Sequence, residues 1–175
     1  MAVCAAALVA SCGVAGAYGE AGRGPAASPG SPVLGYRLAA VAAVPGAGAW
    51  AVGLSSQGSV HAIRWDGRAW RPVPAPGGGD LYGVAALSAA DAWAVGYGAG
   101  NTAVIERWNG RSWALVPSPA RGYLAGVTAT SARNAWAVGT TGLPLGRGTG
   151  IIEHWNGTSW TCISATGTAG PCPPG

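Results

Sequence analysis

The sequence contains no phenylalanine, no lysine and a single methionine. Charged residues make up only 9% of its 175 positions, which excludes a charge-rich disordered tail. All ten basic residues are arginine, scattered from Arg23 to Arg147, and the net charge is +4. They form no block of like charge, so no nucleic-acid partner is expected. Arginine without lysine, beside abundant glycine, alanine and proline, matches the codon bias of a GC-rich genome and needs no anionic partner. Histidine occurs only at His61 and His154, which leaves no Cys–His set at zinc spacing; neither metal nor cofactor is expected. Cysteine is missing between Cys12 and Cys162. The apolar stretch at residues 2–10 is too short to cross a bilayer.

Other residue types are abundant. Glycine (31) and proline (13) together fill about a quarter of the chain, which favours tight turns over long helices. Tryptophan occurs nine times, three times in each of three copies of one pattern. The copies contain LAAVAAVPGAGAWAVG and AIRWDGRAW, then LYGVAALSAADAWAVG and VIERWNGRSW, then LAGVTATSARNAWAVG and IIEHWNGTSW. The WAVG tryptophans, Trp50, Trp93 and Trp136, recur every 43 residues. Trp65, Trp108 and Trp155, and likewise Trp70, Trp113 and Trp160, follow at 43 and then 47, the extra residues falling in the 140–149 loop.

Each copy reads as four short strands; in the second they cover about 81–87, 91–97, 102–108 and 112–116. Asp66-Gly67, Asn109-Gly110 and Asn156-Gly157 join the last two strands of each copy and predict two-residue type I′ turns, which need positive φ at both positions. That turn sets Trp108 opposite Arg111 and Glu106 opposite Trp113. It also sets Trp65 and Trp108 against Arg68 and Arg111 for cation–π contact. Pro-rich connectors at 73–79 and 117–122 are long enough to cross a four-stranded sheet, about 14 Å. In the WAVG strand Trp93 and Val95 face one way and Ala92, Ala94 and Gly96 the other, so neither face is polar. Sheets stacked large face on small face bury both. The expectation is an all-β fold: a partial β-propeller of three four-stranded antiparallel blades at about 36–76, 80–119 and 123–164, within a repeat region of 35–165.

Residues 1–17 read as a secretory signal or a lipoprotein signal. Val9-Ala10-Ser11-Cys12 resembles a lipobox, with cleavage before Cys12 and lipid on that cysteine; Ala15-Gly16-Ala17 resembles a soluble-export site. Residues 18–34, rich in Gly, Ala, Ser and Pro, read as a flexible tether, and 166–175 as a Pro/Gly-rich tail pinned by a Cys162–Cys172 disulfide. These features place the protein outside a bacterial cell, secreted or lipid-anchored at the surface.

With these motifs, the chain resembles the kelch-like, galactose-oxidase-type β-propeller repeats of secreted actinobacterial proteins, which carry serial WAVG…WNGxxW units. It lacks the double-glycine signature of true kelch repeats. The resemblance marks the repeat type and leaves the ligand open. Galactose oxidase chemistry would need a Cys–Tyr pair with further Tyr and His ligands, and the repeat region holds no cysteine before Cys162. No catalytic residue is assigned. Glu106 and Glu153 occupy equivalent positions, with Ile63 in the first copy, and read as polar ties between blades rather than a repeated ligand site. Asp91 and Asn134 read as turn caps. All nine tryptophans (Trp50, Trp65, Trp70, Trp93, Trp108, Trp113, Trp136, Trp155 and Trp160) are expected in blade cores. The expected function is a noncatalytic binding or scaffold module contacting an unknown protein or glycan. Alternatives are a lectin-like module using Tyr97 and Tyr123, and a fragment of a larger propeller enzyme. Three units do not close a ring, so self-association to complete one is a further expectation.

Overall fold

A computed structural model describes residues 36–44, 46–55, 61–142 and 148–174. The signal at 1–17 with Cys12, and the tether at 18–34, lie outside the described residues. The described chain forms three antiparallel sheets. The first holds β1 (Tyr36–Val44), β2 (Gly48–Ser55), β3 (Ala62–Trp65) and β4 (Trp70–Val73). The second holds β5 (Asp80–Ser88), β6 (Asp91–Gly98), β7 (Thr102–Trp108) and β8 (Trp113–Leu115). The third holds β9 (Tyr123–Ser131), β10 (Asn134–Thr140), β11 (Gly150–Trp155) and β12 (Trp160–Ile163), with β13 (Ala169–Gly170) added beyond β12. Within each sheet the strands are ordered as in the chain, and the first strands of successive sheets, β1, β5 and β9, lie side by side. This is the serial layout of propeller blades, and the fold is an all-β partial propeller.

The glycine that ends each WAVG motif has a steric cause. A Cβ on Gly53, Gly96 or Gly139 would collide with the backbone carbonyl of Arg37, Asp80 or Tyr123, each near the start of its sheet's inner strand. The pairing slips by a residue at the same place in every sheet, at Leu38/Ala40, at Leu81/Gly83 and beside Gly139. The repeated bulge kinks the inner strand across the motif, and only glycine leaves room for it.

Two buried layers hold the sheets together. Trp50 and Val52 of β2 pack with Ala92 and Ala94 of β6, together with Leu81, Trp108 and Trp113. Trp93 and Val95 of β6 pack with Ala135 and Ala137 of β10, together with Leu124, Trp155 and Trp160. A large-residue face meets a small-residue face at both contacts. Burial of one such tryptophan removes 150–250 Å² of surface and stabilises the stack by several kcal/mol.

The hairpin between the last two strands differs from the expected turn. Trp108 opposes Trp113, not Arg111, and Glu106 opposes Leu115. Positive φ is confined to the glycines, Gly67 at 94°, Gly110 at 97° and Gly157 at 100°. Asp66, Asn109 and Asn156 use their side chains instead. Oδ1 of Asn109 accepts the N–H groups of Arg111 and Ser112 at 2.9 and 3.0 Å; Asp66 and Asn156 do the same two and three residues ahead. Capping by the side chain moves the register by two residues, an even number, so every side chain keeps its face. The shift sets the tryptophans in cross-strand pairs, Trp65–Trp70, Trp108–Trp113 and Trp155–Trp160. It also removes the expected Trp65–Arg68 and Trp108–Arg111 contacts.

Candidate functional site

Six of the nine tryptophans are enclosed between sheets. Trp65, Trp70 and Trp136 are corrections to the expected core. Trp65 and Trp70 are half-buried and Trp136 is 37% exposed, because their sheet faces meet no other described sheet. The cations lie elsewhere than expected. Arg64 sits over Trp50 at 5.5 Å and Trp108 at 5.8 Å; Arg107 sits over Trp93 at 4.8 Å and Trp155 at 5.9 Å. Each guanidinium thus spans a contact between sheets. Arg107 is held by a bidentate pair with Asp91, at 2.9 and 3.0 Å, and donates to the carbonyl of Ala132 in the third sheet. In the third copy His154 replaces the arginine: it stacks on Trp136 at 4.2 Å, and its Nε2 lies 2.8 Å from Asn134 Oδ1. The cap role read for Asp91 and Asn134 therefore gives way to clamping of this bridge. The recurring pairs Asp91–Arg107 and Asn134–His154, aligned from copy to copy, are the sequence signal for it.

Glu106 and Glu153 point into the layers between sheets and bind the connectors that enter their own sheets. Glu106 Oε1 accepts the N–H of Gly77 at 2.5 Å. Glu153 Oε1 accepts from the Ser118 hydroxyl at 2.6 Å and from the Ala120 N–H at 3.2 Å. Both side chains are almost fully buried. Burial pushes the Glu106 carboxyl up to about 6 against the pull of the Gly77 N–H. It pushes Glu153 up too, against its bonds from Ser118 and Ala120. Each carboxylate is thereby committed to the chain's own backbone.

The cysteines at 162 and 172 are joined by a disulfide with Cα atoms 5.2 Å apart, and it ties β13 to β12. The tail at 166–175 therefore contributes a fifth strand to the third sheet. Glu153, Cys162 and Cys172 gather in one place, but the disulfide uses both sulfurs and leaves no thiolate to hold a metal.

An aromatic rim forms where the inner strands begin. Tyr123, at the start of β9, is buried with its ring against Tyr82 of β5, centroids 4.5 Å apart. Tyr123 is therefore not the exposed contact expected of it; Tyr82 takes the outer position. The Tyr82 hydroxyl donates to Asp80 Oδ2 at 3.4 Å, and burial followed by the nearby Asp80 charge raises its pKa. Tyr97 pairs across the strands with Asp80 and is half-buried. Asp66 lies at the other end of the strands: backbone N–H groups from Ala69 and Arg68 and the Arg71 side chain hold its carboxyl well below the usual range. It lines a cleft of about 480 Å³ with Arg64, Arg71 and Val73.

No family model and no curated protein matches the chain. Among solved structures it is similar to YCF48 bound to D1 peptide, with a TM-score of 0.56 at 14% sequence identity. The likeness covers 77% of this chain and 41% of that one, so the chain spans about two-fifths of its neighbour's length. The likeness is one of fold, that of a β-propeller.

Proposed function

We propose that the protein is a noncatalytic binding module that docks a segment of a protein partner on the rim where its inner strands begin. The observation that carries this is the half-buried Tyr82, its ring set against the buried Tyr123 and flanked by Asp80, Tyr97 and Arg37. Tyrosine offers large apolar contact with a polar tip at low entropic cost, and Asp80 and Arg37 supply both charge signs for orientation. The buried carboxylates support a binding role, since Glu106 and Glu153 are occupied with connectors. YCF48, similar in fold, is bound to a peptide. The kelch-like repeat type and attachment outside a bacterial cell through lipid on Cys12 belong to the same proposal.

Selection of displayed peptides on the full chain tests it. The selected peptides should lose about tenfold or more in affinity on Tyr82→Ala, with thermal melting little changed. Peptide binding indifferent to both Tyr82 and Tyr97 would overturn the assignment. Specific binding on a glycan array, lost on the same substitution, would replace the partner class by a carbohydrate.

A further inference from the structure

The first sheet departs from its two successors where it loses an acid and gains a base. In the second sheet Asp91, at the start of β6, holds Arg107 through two bonds of 2.9 and 3.0 Å. In the third, Asn134 and His154 take the same two places, 2.8 Å apart. The first sheet keeps the guanidinium, Arg64 opposite Trp50, but has Gly48 where the acid would stand, two residues before that tryptophan. No side chain fits there: a Cβ on Gly48, whose φ is 104°, would collide with the Trp65 carbonyl. One strand over, Arg71 lies directly opposite Arg64, where the second and third copies have Ala114 and Thr161. Directly opposed side chains share a face, so two like charges stand together and repel.

The cleft of about 480 Å³ lies at this place, lined by Ala47, Arg64, Asp66, Arg71, Pro72 and Val73. Among the described residues its charges do not cancel. Asp66 is committed: Oδ1 accepts the backbone N–H groups of Arg68 and Ala69, and Oδ2 accepts from Arg71 Nε. Arg64 has no carboxylate partner among the described residues. It is held in place all the same, half-buried with its guanidinium over the rings of Trp50 and Trp108 at 5.5 and 5.8 Å. A guanidinium fixed in advance loses little freedom on taking a partner, and its fork matches a carboxylate at two points.

We infer that this cleft binds a carboxylate carried on a peptide. The carboxylate takes at Arg64 the place that Asp91 takes at Arg107, and it relieves the repulsion between Arg64 and Arg71. The apolar wall of Ala47, Pro72 and Val73 receives the aliphatic chain beside it. The cleft stands at the end of the strands away from the Tyr82–Tyr123 rim, so it is a second site and does not depend on the first.

Calorimetric titration of the full chain tests it with two sets of N-acetylated tetrapeptides of Ala and Leu. One set has a free C-terminal carboxylate; the other is amidated and carries one internal Glu. At least one set should bind with a Kd of about 1 mM or below, weakening as salt is raised. Binding of the first set assigns a partner's C-terminus and binding of the second an acidic side chain; either supports the site. Arg64→Lys, which keeps the charge and removes the fork, should weaken binding about tenfold. Arg71→Gln, at a side chain 68% exposed, should weaken it about threefold without disturbing the fold. Tyr82→Ala should leave it unchanged. Absence of carboxylate-dependent binding, affinity indifferent to both arginines, or a loss on Tyr82→Ala would each overturn the site. A gain in affinity on Glu20→Gln would overturn it as well, by giving the cleft to the chain's own carboxylate.

Discussion

At the scale of single residues, the buried carboxylates make the protein respond to acid in an unusual direction. Glu106 is raised from 4.5 to about 6 by burial, so the folded state holds this proton more tightly than the unfolded chain. The stabilisation is complete below pH 4.5 and is lost as pH rises through 6. The group's contribution falls by about 2 kcal/mol across that window. Glu153, raised in the same direction, adds to the trend. Urea unfolding from pH 4 to 7 should show it, and Glu106→Gln should flatten the slope. The amide keeps an acceptor for the Gly77 N–H and cannot ionise. A slope unchanged by the substitution would show that Glu106 does not titrate in this window. The repeat alignment singled out both glutamates, but their partners lie in the connectors, 29 to 35 residues away, beyond the reach of local spacing.

At the scale of the strand, glycine governs the bend. Gly96→Ala should cost about 2–4 kcal/mol, because the added Cβ meets the Asp80 carbonyl and the inner strand must move. Gly150→Ala is the control: nothing lies within 4 Å of a Cβ there, and stability should change by less than about 1 kcal/mol. Equal losses from the two would remove the steric account. Strand positions were legible because the alternation of large and small residues is strict and the repeat supplies three readings of it. The expected strand at 102–108 coincides with Thr102–Trp108. The hairpin register was not legible from the dipeptides alone. Asp or Asn before glycine serves a positive-φ turn and a side-chain cap equally well, and only backbone geometry tells which donors the Oδ1 atom reaches. The Arg–Trp contacts were misplaced for the same reason. A sequence also shows the faces of each strand without saying which of them meet another described sheet, so Trp65, Trp70 and Trp136 read as core alongside the rest.

At the scale of the whole molecule, the sheets alone set how the chain behaves as an object. The bulk of the buried tryptophan lies between sheets rather than within them, so the blades stabilise one another and unfolding should pass along the stack. Anchoring is a separate matter, since Cys12 lies outside the described residues. Cys12→Ala should move the expressed protein from the membrane fraction to the medium, without altering the melting of the blades. Continued membrane retention would remove the lipid proposal and leave the fold as described.

The short strand Ala169–Gly170 has an outcome that reaches past its length. It hydrogen-bonds along the far side of β12, where the third sheet would otherwise present bare amides and carbonyls to its surroundings, and a single sulfur–sulfur bond keeps it there. Reduction would loosen that cover and offer β12 as a template for strands from other molecules. A protein guarded in this way keeps its solubility in oxidising surroundings and becomes prone to aggregation in thiol-rich ones.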